Sequence, residues 1–393
     1  MLRLVFAGLL PLPAGLWMML QICFMYLKNI LLYNFKNFRQ QELSFCEGVN
    51  CFIGHNGAGK TNILDAIHYL SFTKSYFGSL DVRNIFHDEE SFSVTGKYDI
   101  DGNEVAVQCI QKKNTRKIMR MDGKNYAQMS LHIGKIPLIM IAPQDEELIY
   151  GGSDLRRRFV DMILSQLDHD YLEHLVSYNR ALVQRNALLK QEKADNSLLE
   201  IFDMELISNG KIIFEQRKKF IEKFTPVLVK YYEKISAGAE QVNIIYLSQL
   251  SENSFEDILL KNADRDRFLQ YTTSGIHKDD LDFLIHVSSG QSKTEGYSVR
   301  KIGSQGQQKS LLLALRLAQW EIMFSEMGVK PLLLLDDIFD KLDAQRAGLL
   351  MSLLSEFLLG QIFVSDTAQD RVRNFLSGEN KIFYVQNGTV KNV

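Results

Sequence analysis

Gly54-His55-Asn56-Gly57-Ala58-Gly59-Lys60-Thr61 fills every fixed position of the phosphate-loop pattern G-x-x-x-x-G-K-[ST]. Its flanks supply the setting that the pattern needs. Val49-Asn50-Cys51-Phe52-Ile53 is a short apolar run of strand type, and Ile63, Ala66, Ile67 and Leu70 recur at helical spacing. A strand, a glycine turn and a helix start together aim backbone N–H groups at a polyphosphate. Gly54, Gly57 and Gly59 let the backbone come close, and His55, Asn56 and Ala58 complete the cradle. Lys60 can reach the β- and γ-phosphates, and the Thr61 hydroxyl is placed to hold Mg²⁺. ATP and Mg²⁺ are therefore the expected cofactors.

Two further motifs follow in the order an ATPase requires. Pro331-Leu332-Leu333-Leu334-Leu335-Asp336-Asp337 reads as a central parallel strand, apolar on both faces, ending in an acidic pair. Asp336 is the expected second Mg²⁺ ligand, and Asp337 the carboxylate that orients the attacking water. Upstream, Gly303-Ser304-Gln305-Gly306-Gln307-Gln308-Lys309 opens a strongly apolar helix. A Ser/Gly/Gln turn at a helix start is a second phosphate-facing N-terminus, the bland alternative being a plain helix cap. One subunit cannot easily place both turns on one γ-phosphate. Two subunits facing head to tail can, with Ser304, Gly306 and Gln307 of each completing the other's nucleotide site. The turn matches the signature of ABC-type ATPases, and Asp340-Lys341-Leu342-Asp343 fits their D-loop.

The chain of 393 residues, 46% apolar and 23% charged, has room for two or three globular domains. With a net charge of −2, a nucleic-acid binder of this composition must concentrate its cations locally. Lys112, Lys113, Arg116, Lys117 and Arg120, with Lys124, crowd into one predicted hairpin and are the expected DNA contacts, by backbone neutralisation. Arg156-Arg157-Arg158 could equally serve a lobe junction, and Arg217-Lys218-Lys219 reads as a solvated helix face. Cys23, Cys46, Cys51 and Cys109 form neither a CxxC pair nor a cluster with His, which points to reduced thiols of a cytoplasmic protein.

The pattern along the chain predicts four segments. Residues 1–24 are almost wholly apolar, with Pro11 and Pro13 inside and no A-x-A site after them. They are read as a start assigned too early, ahead of Met25, rather than as a membrane anchor or signal peptide. Residues 25–143 are β-rich around the phosphate loop, with strands over 25–33, 41–53, 92–100 and 103–111 and a turn at Asp101-Gly102-Asn103. Residues 144–240 form a helical insertion, and 241–393 return to an α/β pattern. The expected fold class is α/β, an ABC-type head with an inserted helical lobe. Ser304 lies 244 residues after Lys60, much further than in a transporter ATPase subunit. Such spacing is the layout of SMC-like heads, here with a compact lobe in place of a long coiled coil.

On Met25-Tyr26-Leu27-Lys28-Asn29, Asn34-Phe35-Lys36-Asn37-Phe38, Pro143-Gln144-Asp145, Arg156 to Asp161, His277-Lys278-Asp279-Asp280 and the three nucleotide motifs, the chain resembles the RecF family of bacterial DNA replication and repair ATPases. The likeness spans essentially all of residues 25–393. It implies an ATP-dependent homodimer that binds DNA at single-strand gaps and single-strand–double-strand junctions. It further implies help in loading recombinase, with RecR and RecO as partners, support of the SOS response, and slow, DNA-stimulated hydrolysis. Gln144, where the family usually carries Glu, is the candidate that senses Mg²⁺ and water. Ser365-Asp366-Thr367 stands where transporters carry a switch histidine, so Asp366 or Thr367 would take a weaker γ-phosphate role. A different SMC-like head of the anti-phage kind, or a transporter ATPase subunit, are the alternatives. The first would carry a further domain or a longer insertion, the second a shorter spacing.

Overall fold

The computed structural model describes residues 23–78, 80–191, 196–238, 240–287, 296–338, 360–367 and 380–392, with Gly348 and Ser352. Most of the apolar leader and the acidic turn 340–343 lie outside the described residues.

In chain order, β1 (Met25–Phe35) and β2 (Phe38–Ser44) precede β3 (Val49–Ile53), which runs through the phosphate loop into α1 (Lys60–Phe72). A meander follows, β4 (Ser91–Ile100), β5 (Asn103–Lys112), β6 (Ile118–Met121) and β7 (Lys124–Asn125), and then β8 (Leu138–Ile141). The inserted lobe contains α2 (Glu147–Tyr150), α3 (Ser153–Leu167), α4 (His169–Leu189), α5 (Asn196–Ser236), β9 (Glu240–Leu247), α6 (Phe255–Leu269), β10 (Asp280–Val287), β11 (Tyr297–Ser298) and α7 (Val299–Ile302). The return comprises α8 (Gln305–Met327), β12 (Leu332–Asp336), β13 (Ile362–Asp366), β14 (Asn380–Gln386) and β15 (Thr389–Asn392).

Two sheets build the head. One is antiparallel, in the order β2-β1-β4-β5-β6-β7. The other runs β15-β14-β3-β13-β12-β8, parallel throughout except for its β15 edge. The strand expected over 41–53 is two strands, because the Asn50 amide turns the chain back. Asn50 Oδ1 accepts from the Cys46 N–H at 3.0 Å and Nδ2 donates to the Cys46 carbonyl at 2.9 Å. The turn at 101–103 is as predicted. Asp101 and Gly102 take φ of 52° and 80°, the left-handed pair that a two-residue hairpin requires.

The alternation along β12 explains its four leucines. Leu332 and Leu334 face a core shared with α1 and the antiparallel sheet, where Phe52, Phe363 and Phe383 pack around Phe45. Leu333 and Leu335 face the opposite core, shared with α8 and the inserted lobe. A strand covered on both faces must be apolar at every position. In the lobe, α3, α4 and α5 pack together, and the small sheet β11-β10-β9 lies against α3 and α5. Beyond residue 240, β9, β10 and α7 pack onto these helices or onto the small sheet.

Candidate nucleotide site and basic surfaces

The phosphate loop is held from outside by the β1–β2 turn. Asn37 Nδ2 donates to the Ala58 carbonyl at 3.0 Å, and Asn37 Oδ1 accepts from Asn62 Nδ2 at 2.8 Å. Gly59 has φ 118°, and a Cβ there would come within 2.5 Å of Asn37 Nδ2, so conformation and space both require glycine. Gly59 is also the N-cap of α1, which carries no side-chain cap. The first N–H groups of α1 thus keep their capacity for an anion. Lys60, 4% exposed, donates from Nζ to the carbonyls of Gly54 (2.9 Å) and His55 (3.3 Å).

The acidic strand end meets this loop directly. Thr61 Oγ1 donates to Asp336 Oδ1 at 2.9 Å, and the Ser365 hydroxyl donates to the same oxygen at 2.7 Å. Burial raises the pKa of the Asp336 carboxyl, against the bonds from Ser365 and Thr61, and the neighbouring Asp337 charge adds to the rise. Asp337 takes a left-handed backbone, φ 43°, with its N–H donated to Ser365 Oγ at 3.0 Å. Ser365, a residue of that strand end that the sequence reading passed over, thus touches both members of the acidic pair. The sequence signal was its place at the end of a core strand, one strand over from β12.

Gln144 leaves the sheet at the same edge, since Ile141 pairs with Leu335 and the chain turns two residues later. Its side chain is exposed while its neighbour is fixed. Asp145 Oδ2 pairs with buried Arg316 of α8 at 2.9 Å and accepts from the Ala142 N–H at 3.0 Å, and its other oxygen accepts from the Tyr76 hydroxyl. A cavity of about 570 Å³ opens beside them between Tyr76, Phe77, Arg158 and Phe159, and no phosphate-loop residue lines it.

Ser304 caps α8 reciprocally with Gln307. The Gln307 N–H donates to Ser304 Oγ (3.2 Å) and Gln307 Oε1 accepts from the Ser304 N–H (2.8 Å). Gln307 Nε2 is engaged as well, with Glu240 (2.6 Å) and the Tyr297 hydroxyl (2.7 Å). Gln307, expected as a nucleotide ligand, is therefore committed to holding the turn. The exposed Ser304 hydroxyl and the N–H groups of Gln305 and Gly306, which lack intrahelical acceptors, are the donors that the turn presents. Among the described residues, no hydrogen bond of Ser304 reaches the phosphate loop of its own chain.

The predicted basic hairpin forms, but its five cations differ. Lys112 and Arg116 are exposed and have no carboxylate partner among the described residues. Lys113 pairs with Glu90 at 2.9 Å, and Arg120 Nε donates to Asn125 at 2.7 Å. Lys117 is tied to Asp81 at 2.6 Å and to the Tyr69 hydroxyl at 3.2 Å, with 15% of its side chain exposed, so it braces the sheet. Arg217 corrects the reading of a solvated face. It is buried, paired with Asp161 at 2.9 Å and Asp279 at 3.1 Å, and donates to the Ile276 carbonyl at 2.9 Å. Only Lys218 and Lys219 are exposed. Breaking a buried pair costs ~3–5 kcal/mol against ~0–1 kcal/mol for an exposed one, so Arg217 belongs to the fold. Arg156 is likewise a junction residue, gripping Asp280 at 2.6 and 3.1 Å, where Arg300 joins it at 3.0 Å. His277 completes this knot. Its Nε2 donates to the Thr272 carbonyl (3.1 Å), which leaves Nδ1 to accept from the Tyr178 hydroxyl (2.8 Å), and burial lowers its pKa to about 4. The motif 277–280 thus fastens α3, α4 and α5 to β10.

A phosphate loop in contact with an acidic strand end, and a Ser-Gly-Gln turn on a helix that returns from an inserted lobe, define an ABC-type ATPase head of the SMC-like kind. Residues 26–391 match the RecF/RecN/SMC N terminal domain. The chain is 45% identical over 370 residues to the DNA replication and repair protein RecF of Parabacteroides distasonis, covering 93% of this chain and 99% of that protein. It is 42% identical to RecF of Flavobacterium johnsoniae over 92% of this chain and 100% of that protein. Its fold superposes with a TM-score of 0.84 on the recombination mediator protein RecF solved with ATP, 33% identical, over 94% of this chain and 98% of the other. The Smc head domain of Pyrococcus furiosus, 19% identical with a TM-score of 0.54 over 94% and 96% of the two chains, shares the fold. The chain belongs to the RecF family. Among the described residues no helix is long and apolar enough to cross a membrane.

Proposed function

We propose that the chain is an ATP-switched DNA-binding protein of recombinational repair and replication restart. The observation that carries this reading is the bond between Thr61 and Asp336, which brings two hard oxygen donors together from distant parts of the sequence beside an uncapped helix start. That donor set fits Mg²⁺, which is commonly held by one or two carboxylates together with substrate phosphates. Thr61 and Asp336 would hold the ion, which when bound draws charge from the β- and γ-phosphates. Lys60 and the α1 N–H groups bind the polyphosphate. Asp337 accepts a hydrogen bond from the attacking water and orients it, and Gln144 reports the occupied site to the lobe through its fixed neighbour Asp145. The Ser304 turn of a second subunit, with Gly306, closes over the γ-phosphate from the other side.

Dimerisation on ATP would place the exposed cations Lys112 and Arg116 of both subunits on one DNA duplex or junction. By kinship, that DNA is a single-strand gap or a single-strand–double-strand junction in the cytoplasm, RecR and RecO are the protein partners, and the outcome is recombinase loading and support of the SOS response. Hydrolysis is slow and stimulated by DNA, and it reopens the dimer.

The test is sedimentation with and without ATP, paired with ATPase assays on gapped and intact DNA. ATP should convert monomer to dimer, and gapped DNA should accelerate hydrolysis more than intact duplex. A chain that stays monomeric at saturating ATP, with hydrolysis indifferent to DNA, would sink the reading.

A further inference from the structure

The side-chain amide of Gln307 is held on three sides. Oε1 accepts from the Ser304 N–H at 2.8 Å, and Nε2 donates to Glu240 Oε1 at 2.6 Å and to the Tyr297 hydroxyl at 2.7 Å. The second Glu240 oxygen, Oε2, accepts from the Tyr232 hydroxyl of α5 at 2.6 Å. Glu240 opens β9 and Tyr297 opens β11, on either side of β10, where they pair with Val287 and Ile285. A continuous line of hydrogen bonds thus runs from α5, through Glu240 and Gln307, to the turn at Ser304. Only a carboxylate offers two acceptor oxygens at once, and bonds to an ionised acceptor are stronger than bonds between neutral groups.

We propose that Glu240 is a positioning residue for the composite ATP site. By fixing Gln307 it sets the Ser304 turn in the conformation that receives the partner subunit's nucleotide. This rests on the reading that the Ser304 turn acts in trans. Glu240 acts through Gln307, since its two oxygens are already engaged with Gln307 and Tyr232. It is half-buried at the start of an edge strand, outside the apolar cluster of the lobe. A purely structural role would lower thermal stability and weaken nucleotide binding by the monomer. A positioning role separates the two steps, because the monomer's own phosphate loop is untouched.

The experiment compares Glu240→Ala, Glu240→Gln, Tyr297→Phe and Ser304→Arg by three measurements: ATP affinity of the monomer at low protein concentration, ATP-dependent dimerisation by sedimentation, and thermal unfolding. Glu240→Ala should weaken dimerisation about tenfold or more, the size expected for a lost bond to a charged group. Its monomer should bind ATP like the wild type. Glu240→Gln keeps an acceptor for Gln307 and should restore most of the dimerisation. Tyr297→Phe removes the weaker of two acceptors and should fall between. If Ser304→Arg blocks dimerisation while Glu240→Ala and Tyr297→Phe dimerise like the wild type, the positioning role is wrong and the trans reading stands. If Ser304→Arg dimerises normally, both fall. A Glu240→Gln defect as deep as that of Glu240→Ala, or a parallel loss of monomer ATP affinity in Tyr297→Phe, would also overturn it.

Discussion

Helix α1 begins at Gly59 without a side-chain cap, whereas α8 begins at Ser304 inside a complete capping box that is itself braced by Glu240 and Tyr297. Both ends carry the partial positive charge of a helix N-terminus, roughly half an elementary charge. They differ in what surrounds the open N–H groups. The α1 end has no side-chain cap and a cationic side chain, Lys60, in reach, so an anion completes it. The α8 end has its cap and third N–H groups engaged by the capping box and presents the Ser304 hydroxyl with the N–H groups of Gln305 and Gly306, with no cation beside them in that box. The contrast teaches that the two halves of a composite nucleotide site need not be equivalent binders. On the proposed reading, one captures the nucleotide alone, while the other acts as a template whose contribution appears only when a second subunit brings it up.

That asymmetry can be broken at four points. The largest effect is expected for Asp337→Asn, which removes the charge proposed to orient water while leaving both helix ends intact. Hydrolysis should fall by ~10²–10⁴-fold with ATP binding and dimerisation retained, as single-turnover kinetics on the isolated dimer would report. Normal turnover in that variant would move the catalytic group elsewhere. Next comes Lys60→Ala. Loss of a charged hydrogen-bond partner at the capturing end should weaken monomer ATP affinity by about 10–100-fold and with it abolish dimerisation at ordinary ATP concentrations, measurable by equilibrium binding.

Ser304→Ala is the milder probe of the template end. It deletes the cap, at a cost of about 0.5–2 kcal/mol to α8, and should weaken dimerisation with monomer ATP affinity unchanged. Equal losses in both assays would mean that the two ends are not distinct after all. The smallest effect lies outside both helix ends. Lys112→Glu with Arg116→Glu should leave ATP binding alone and reduce the slope of log affinity for DNA against log salt by about 2, one phosphate for each lost cation. An unchanged slope would remove the hairpin from the DNA surface.

Much of the head was legible because its chemistry is local. The phosphate loop needs glycines at fixed offsets, the β12 leucines must satisfy two cores, and the 101–103 turn needs residues that tolerate positive φ. The fates of the charged residues were not legible. Arg217 and Lys218 are adjacent in sequence, yet one is buried between Asp161 and Asp279 while the other meets solvent. Helical phase around a partner strand decides this, and the partners lie on other elements. In the sequence Lys117 reads as a DNA contact, since Asp81, its partner, is far away along the chain. Gln307 reads as a ligand because the signature pattern names it, while Glu240, which claims its amide, stands beyond the stretch that the pattern covers. Position in a motif identified the turn, and only packing assigned its side chains.

The place of β3 has a consequence for how the protein is made. Its two hydrogen-bonding neighbours are β13 and β14, so among the described residues the strand that launches the phosphate loop is paired only with residues from Ile362 onward. At ~5–20 residues per second, translation leaves β3 without either neighbour for roughly 15–60 s after it is synthesised. During that interval the antiparallel meander can close from local contacts, but the parallel sheet cannot. The nascent chain therefore carries an apolar, unpaired strand and a disarmed loop until β13 and β14 have been made. Prematurely terminated products ending before Ile362 are expected to retain no ATP, which filter binding on such a fragment would check. Nucleotide capture thereby depends on the segment from Ile362 onward, the part of the sheet that is synthesised after all the rest of the head.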